Sequence, residues 1–250
     1  MQRYFVRSEQ IKEGMVSIRG DDAHHISRVM RLAAGDPIIV CDNSGMQYDV
    51  HLVTVSGESV VGKIVNKRMS PSEPRLRITV AQSLLKGDKM DWVIQKGTEL
   101  GAFEFLPFTS VRSVVKLNRK KALTRQQRWQ KIAKEAAEQA HRGRIPTVSS
   151  PLSWHELLRT VTSYDMSIIA YEEEQGQSLP ALWQTMPKIE SCLCIIGPEG
   201  GFEEKEVAAA KAMGVRVVHL GPRILRAETA ALATITCMMW AGGELEGKRQ

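Results

Sequence analysis

Two glycine-rich stretches carry residue types suited to holding a ligand with backbone groups rather than with charge. Ile195-Ile196-Gly197-Pro198-Glu199-Gly200-Gly201-Phe202 follows a short apolar run and precedes an amphipathic segment over 204–213 with acids at its start. Glycines there let the chain take positive φ and approach a ligand closely. Pro198 removes a donor and stiffens the turn. The pattern is neither GxxxxGK[ST] nor GxGxxG, so it is no phosphate cradle or dinucleotide fingerprint; on its own it also fits a tight strand-to-helix turn. The second stretch, Leu220-Gly221-Pro222-Arg223-Ile224-Leu225-Arg226-Ala227-Glu228-Thr229-Ala230-Ala231, again links a strand-like run to a helical one. Two such loops at the carboxyl ends of neighbouring strands form a crevice with apolar walls and many backbone polar groups. That combination suits an adenine ring.

The elements that position these loops read as alternating strands and helices. Strands are expected over 76–82, 103–108, 167–171, 192–196 and 215–220. Helices are expected over 88–100, from about Thr124 onward, over 204–213 and over 228–240. Thr124 and Gln127 fit a capping box for the long helix. This alternation predicts an α/β domain over 76–250 with a mainly parallel sheet covered on both faces. The Pro- and Ser-rich run 71–75 reads as a linker. Before it, strands at 38–41, 48–55 and 60–65, with one helix over 22–32, predict a small barrel-like β domain over 1–70.

Composition is that of an ordinary folded protein of 250 residues, 43% hydrophobic and 25% charged. Between 112 and 144 there are eleven Lys or Arg against two acids, a local balance of +9 within a net charge of +6. One segment makes the chain basic, as a polyanion partner requires, although a solvated helix face is also basic. No run approaches the roughly 18 apolar residues of a membrane span. The start resembles no signal peptide, so a cytoplasmic location is expected. Cys41, Cys192, Cys194 and Cys237 lack a paired ligand set, and the six histidines fall in no HxxxH or HExxH spacing, so no metal is expected.

GPEGGF followed by LGPRILRAETA resembles the SPOUT class of methyltransferases, and within it the family that methylates N3 of a uridine in small-subunit (16S) ribosomal RNA. Arg3-Tyr4-Phe5, His25-Ile26-Ser27-Arg28-Val29-Met30-Arg31, Lys86-Gly87-Asp88-Lys89-Met90, Gln95-Lys96-Gly97-Thr98-Glu99-Leu100-Gly101 and Glu138-Gln139 with Arg142, Arg144 and Pro146 agree with it, in order along nearly the whole chain. The resemblance implies a SPOUT-type trefoil-knotted α/β fold, an N-terminal PUA-like RNA-binding β-barrel and a homodimer. A knot runs against the general rule for protein chains.

The resemblance also assigns roles. S-adenosylmethionine is held by Ala170, Tyr171, Ile196, Gly197, Glu199, Gly200, Gly201, Leu220, Gly221, Ile224, Leu225, Arg226 and Thr229. Direct methyl transfer to uridine N3 needs no metal, only alignment and removal of a proton. Arg226 would stabilise the developing negative charge, or else pair with Glu199 or Glu228. Glu138 and Glu199 are the candidate general bases. Ribosomal RNA, within the small subunit, would meet Arg3, Arg28, Arg31, Lys86, Lys96, Arg142 and Arg144, with Arg112, Lys116, Arg119, Lys120 and Lys121 as a further phosphate-binding strip. The alternatives are a SPOUT enzyme acting on a ribose 2′-hydroxyl and a non-catalytic ribosome-assembly factor.

Overall fold

Burial on alternate strand positions organises the first of two compact units. The computed structural model describes residues 1–185 and 188–246, so positions 247–250 of the expected second domain lie outside the described residues. Unit 1 comprises Met1–Glu73 and Ala137–Ile145. Its strands are β1 (Arg3–Phe5), β2 (Ile11–Lys12), β3 (Met15–Arg19), β4 (Pro37–Cys41), β5 (Met46–Val55) and β6 (Ser59–Met69), paired in the order β1-β4-β5-β6-β3-β2. β1 runs parallel to β4, and every other pairing is antiparallel. Val16 and Ile18 on β3 share one core with Tyr4 of β1, Ile38, Val40, Val50, Leu52 and Val60. A cluster drawing on strands near both ends of the sheet requires the sheet to curl around it.

The helix expected over 22–32 is instead one α-turn, α1 (Asp21–His24), continued by a π-turn at His25–Val29. Met30 N donates to His25 O at 2.9 Å, five residues back, and Ser27 Oγ donates to Ala23 O at 2.9 Å. The widened turn buries Ile26 and leaves Val29, which a 3.6-residue repeat would put on the same face, 60% exposed. Arg31 closes it at φ 54°.

Ala137–Ile145 joins unit 1 through a polar network rather than through sequence proximity. The Arg142 guanidinium meets the Glu73 carboxylate twice, Nε to Oε1 and Nη2 to Oε2, both at 2.9 Å. Glu73 Oε1 also accepts from Gly143 N at 2.7 Å and Arg144 N at 3.2 Å. Arg3 Nη1 donates to the Arg142 carbonyl at 2.9 Å, and Arg3 Nη2 to Gln47 Oε1 at 3.3 Å. A Cβ on Gly143 would stand 2.4 Å from Ser70 Cβ, so only glycine fits.

Unit 2 comprises Pro74–Ala136 and Pro146–Gln250. Its strands are β7 (Arg77–Ser83), β8 (Glu104–Thr109), β9 (Thr147–Val148), β10 (Leu152–Ser153), β11 (Met166–Ala170), β12 (Ser191–Ile196) and β13 (Arg216–Val218), with order β10-β8-β7-β12-β11-β13 and β9 also on β8. Every pairing is parallel. Its helices are α2 (Lys89–Glu99), α3 (Arg119–Gln139, whose last turn falls in unit 1), α4 (Trp154–Leu158), α5 (Leu179–Gln184), α6 (Glu204–Ala212) and α7 (Ala227–Ala241). Leu106, Phe108, Leu193 and Ile195 pack with α4 and α6 residues Leu157 and Val207. On β8 the next side chain round, Phe105, instead lies against Gly97 of α2 and near Ile235 of α7 through that glycine, so both sheet faces are covered. α3 begins five residues before Thr124: Asn118 Oδ1 accepts from Lys121 N at 2.9 Å, and Thr124 Oγ1 merely back-bonds to Lys120 O. Among the described residues no helix is long and apolar enough to cross a membrane.

Removing one partner of a buried ion pair strands the other, at a cost of about 3–5 kcal/mol. Arg142 is 3% exposed in its side chain and Glu73 14%. Arg142→Ala is therefore expected to lower denaturant stability by about that much, whereas exposed Arg31→Ala should leave it within roughly 0.5 kcal/mol. Equal, small effects would contradict a structural role for Arg142.

Candidate functional site

Parallel pairing of β12, β11 and β13 brings the loops that follow them to one edge of the sheet. Two adjoining cavities lie there, of ≈ 390 and ≈ 380 Å³, sharing Ala170, Glu172, Ile224, Leu225 and Ala230 as walls. They form one cleft of the size that takes a nucleoside-sized ligand. Tyr171, Glu174, His219, Leu220, Gly221 and Arg223 line one end. Ile196, Gly197, Pro198, Glu199, Gly201, Arg226 and Lys89 line the other.

Each loop has a local anchor. Phe202 is 1% exposed and stacks on Phe108 at 6.4 Å and against Trp154 at 5.6 Å, pinning the end of GPEGGF to the sheet. Glu206 of α6, 4% exposed, accepts from Val111 N and Glu203 N at 3.0 Å each. Gly201 sits at φ 68°, and a Cβ there would lie 2.1 Å from Glu172 Oε1. The third loop turns at Gly221, φ 102°, whose N–H donates to His219 Nδ1 at 3.1 Å. Arg226 is the N-cap position of α7.

Lys89 ties the cleft together. Its Nζ lies 3.2 Å from Glu199 Oε1 and 3.4 Å from Glu228 Oε2, joining α2, the GPEGGF loop and the start of α7. Lys86 N adds a donor to Glu199 Oε1 at 3.2 Å. Partial burial pulls the Glu199 carboxyl upward, but backbone donors and the Lys89 ammonium outweigh it and hold the group below the usual carboxylate range. An acid held in its ionised form is a poor proton acceptor. Glu199 is therefore better suited to anchoring the loop than to general base work. The two acids weighed as partners of Arg226 thus both meet Lys89. Tyr171 donates to Glu173 Oε2 at 2.8 Å; burial first and that acid second push its phenol to about 12.

The structure brings together the residues expected for cofactor binding except two. Gly200 is not among the residues that line the cleft, its carbonyl accepting from Arg112 Nη1 at 3.1 Å. Thr229 lines a neighbouring cleft with Trp92. Sequence reasoning missed Glu172, Glu174, His219 and Lys89; extending the strand-end rule through the whole Tyr171-Glu172-Glu173-Glu174 run would have found the first two.

Glu138 lies in unit 1, where its charge contributes to raising the Tyr4 phenol to about 12, after burial and Asp22. Of the cations expected to meet RNA, Arg28 and Arg31 are exposed on unit 1, and Lys86 is exposed on unit 2. Lys96 pairs with Glu99 at 2.9 Å, and Arg144 Nη2 donates to Ser44 O at 3.1 Å. Arg3 and Arg142 are corrections. At 7% and 3% exposure they are committed to the internal network of unit 1, which leaves no face for a phosphate. The basic strip forms a groove of ≈ 760 Å³ lined by Lys116, Asn118, Lys120, Lys121, Arg125 and Arg128. Arg119, Lys120 and Lys121 occupy the first turn of α3, where no acid offsets them against the positive end of the helix dipole.

The model of the "RNA methyltransferase domain" family matches residues 71–239, and that of the "RNA methyltransferase PUA domain" matches 18–65. The chain is 42% identical to ribosomal RNA small subunit methyltransferase E of Bacillus subtilis (strain 168), covering 99% of both chains. It is 32% identical to the protein of the same name from Synechocystis sp., covering 95% of this chain and 78% of that one. Among solved structures, ribosomal RNA small subunit methyltransferase E from Neisseria gonorrhoeae bound to S-adenosyl methionine superposes with a TM-score of 0.86 at 30% identity, covering 96% of this chain and 97% of that one. A methyltransferase from Legionella pneumophila in complex with the same cofactor gives 0.83 at 26%, with the same coverage.

The Glu199 carboxylate has its pKa depressed on folding, so its contribution is complete above the unfolded value and is lost as pH falls through the folded one. The melting-temperature difference between wild type and Glu199→Gln should be constant from neutral to mildly alkaline pH and shrink in the acid range. A difference that grows on acidification would contradict the anchoring role.

Proposed function

We propose, for a chain that belongs to the ribosomal RNA small subunit methyltransferase E family, that it transfers a methyl group from S-adenosylmethionine to N3 of a uridine in small-subunit ribosomal RNA. The observation that carries this reading is the cleft at the ends of β11, β12 and β13. Its backbone-rich walls and glycine cradle at Gly201 and Gly221 suit an adenosine group. Glu172 and Glu174 supply negative charge where a cationic ligand would lie. When bound, S-adenosylmethionine supplies an electrophilic methyl group on a sulfonium, so the reaction calls on no metal.

The chain's own residues supply alignment and charge. Ile224 and Leu225 offer apolar contact to the adenine ring, and the Gly197–Gly201 turn leaves room for the rest of the ligand. Arg226, exposed at the N-cap of α7, faces the cleft and stabilises negative charge on the uracil as N3 loses its proton. The uracil N3 lies on the pairing face of the base, so the target is unpaired or flipped when it reacts. Exposed Arg28, Arg31 and Lys86, together with the α3 groove, hold the phosphates of the RNA. Like-charged side chains gathered at the positive end of a helix are relieved when an anion binds among them.

The family resemblance also supports a trefoil-knotted path and a homodimer acting in the cytoplasm. After β13 at the sheet edge the chain returns to its middle, where α7 packs on α2, β12 and β7. Trp240, 73% exposed, and Leu245, 50% exposed, offer an apolar surface to a second copy.

Isolated small subunits and free RNA, each incubated with labelled S-adenosylmethionine, test the reading by nucleoside mass spectrometry. 3-Methyluridine is expected from the subunits; a ribose 2′-O-methyl product would overturn the N3 assignment, and no product would favour an assembly factor. Gly201→Val meets a backbone cost of about 1–2 kcal/mol for a left-handed non-glycine residue and displaces the Glu172 carboxylate from its place against the loop. It should abolish calorimetric binding of S-adenosylmethionine while the circular-dichroism spectrum is kept. Retained affinity would mean the cleft is not the donor site.

A further inference from the structure

Beside the donor cleft, and sharing Lys89 with it, lies an open cleft of ≈ 390 Å³ lined by Asp88, Lys89, Trp92, Glu228 and Thr229. Trp92, on α2, is 48% exposed and lines that cleft. At the start of α7, Glu228 lines the same cleft, with Lys89 Nζ 3.4 Å from its Oε2. The Glu228 side chain is only 13% exposed. A carboxylate in a cleft wall is an acceptor for a donor that a ligand brings.

We infer that this cleft receives the target uracil base, stacked on Trp92, with its N3–H donated to Glu228. The base of a uridine has a single ring N–H, at N3, between two carbonyl oxygens. Glu228 offers the acceptor, and the Lys89 ammonium and Thr229 hydroxyl line the same cleft as donors. Cytosine, with an acceptor at N3 and an amino donor beside it, would face Glu228 lone pair to lone pair. The pattern therefore selects uracil over cytosine by hydrogen bonding, the stronger of the ways a pocket discriminates. Stacking on a single exposed aromatic is how a splayed-out base is held.

This inference rests on the methyl-transfer reading, and its test separates the two. The full-length protein is irradiated with a single-stranded octauridylate carrying one 5-bromouridine, and cross-linked peptides are mapped by mass spectrometry. The cross-link is expected at Trp92. Trp92→Ala should weaken binding of the same RNA roughly 5- to 150-fold, and Trp92→Phe should restore most of it. Calorimetric affinity for S-adenosylhomocysteine should stay within about twofold in both variants, since stacking on the base is separate from donor binding. Glu228→Gln should remove the preference for oligouridylate over oligocytidylate. Cross-links confined to other residues, or Trp92→Ala that halves the mass in light scattering without rescue by Phe, would overturn the base site and make Trp92 a subunit contact. Failure of the wild-type protein to bind S-adenosylhomocysteine would instead defeat the methyl-transfer reading.

Discussion

Parallel pairing is the constraint on which the site depends. β12 pairs with β11 over five residues, from Met166 opposite Cys192 to Ala170 opposite Ile196, and β11 pairs with β13 as far as Ala170 opposite Val218. Three strands that end level and point the same way must send their loops out from one edge. No side chain needs to be placed by chance, because the register places Ala170, Ile196 and Val218 side by side and the loops start from there. Continuous apolar strands such as Ser191-Cys192-Leu193-Cys194-Ile195-Ile196 make that register affordable, since the sheet is covered on both faces.

What turns adjacent loops into a defined cleft is a small set of anchors with different physics. Phe202 holds its loop by aromatic packing against Phe108 and Trp154. Glu206 satisfies two backbone donors that would otherwise be left open. Lys89 acts by charge, and its single ammonium serves two acids from different elements. Glu199 and Glu228 meet Lys89 while Arg226 lines the cleft, and a cation at that place can answer charge that arises only during a reaction.

Much of unit 2 was legible because buried strands in a parallel sheet are unbroken apolar runs. The strands expected over 76–82, 103–108, 167–171 and 192–196 fall within one residue of those observed at either end. The start of α3 was misread because Thr124 and Gln127 have the right types for a capping box, while Asn118, which does accept the Lys121 amide, stands among cations that hide it. The π-turn at His25–Val29 defeats periodicity, since one inserted residue shifts the apolar face that a 3.6-residue repeat would assign. Ala137–Ile145 grouping with unit 1 depends on Glu73, 69 residues before Arg142, and no local pattern announces such a pair. The same blindness explains Arg3 and Arg142: residue type indicated phosphate contact, but burial spent both guanidinium groups inside the unit. Lys89 stood within a quoted motif, yet only the structure shows that it faces two carboxylates.

The central claim, that the loops after β11, β12 and β13 hold the methyl donor, is tested most directly by a crystal structure of the protein with S-adenosylhomocysteine. The account predicts the adenine between residues 220–225 and the end of β12, against Ile224 and Leu225, with the rest of the ligand passing Gly201 toward Glu172. Density for the ligand in the α3 groove, or anywhere outside that cleft, would contradict it.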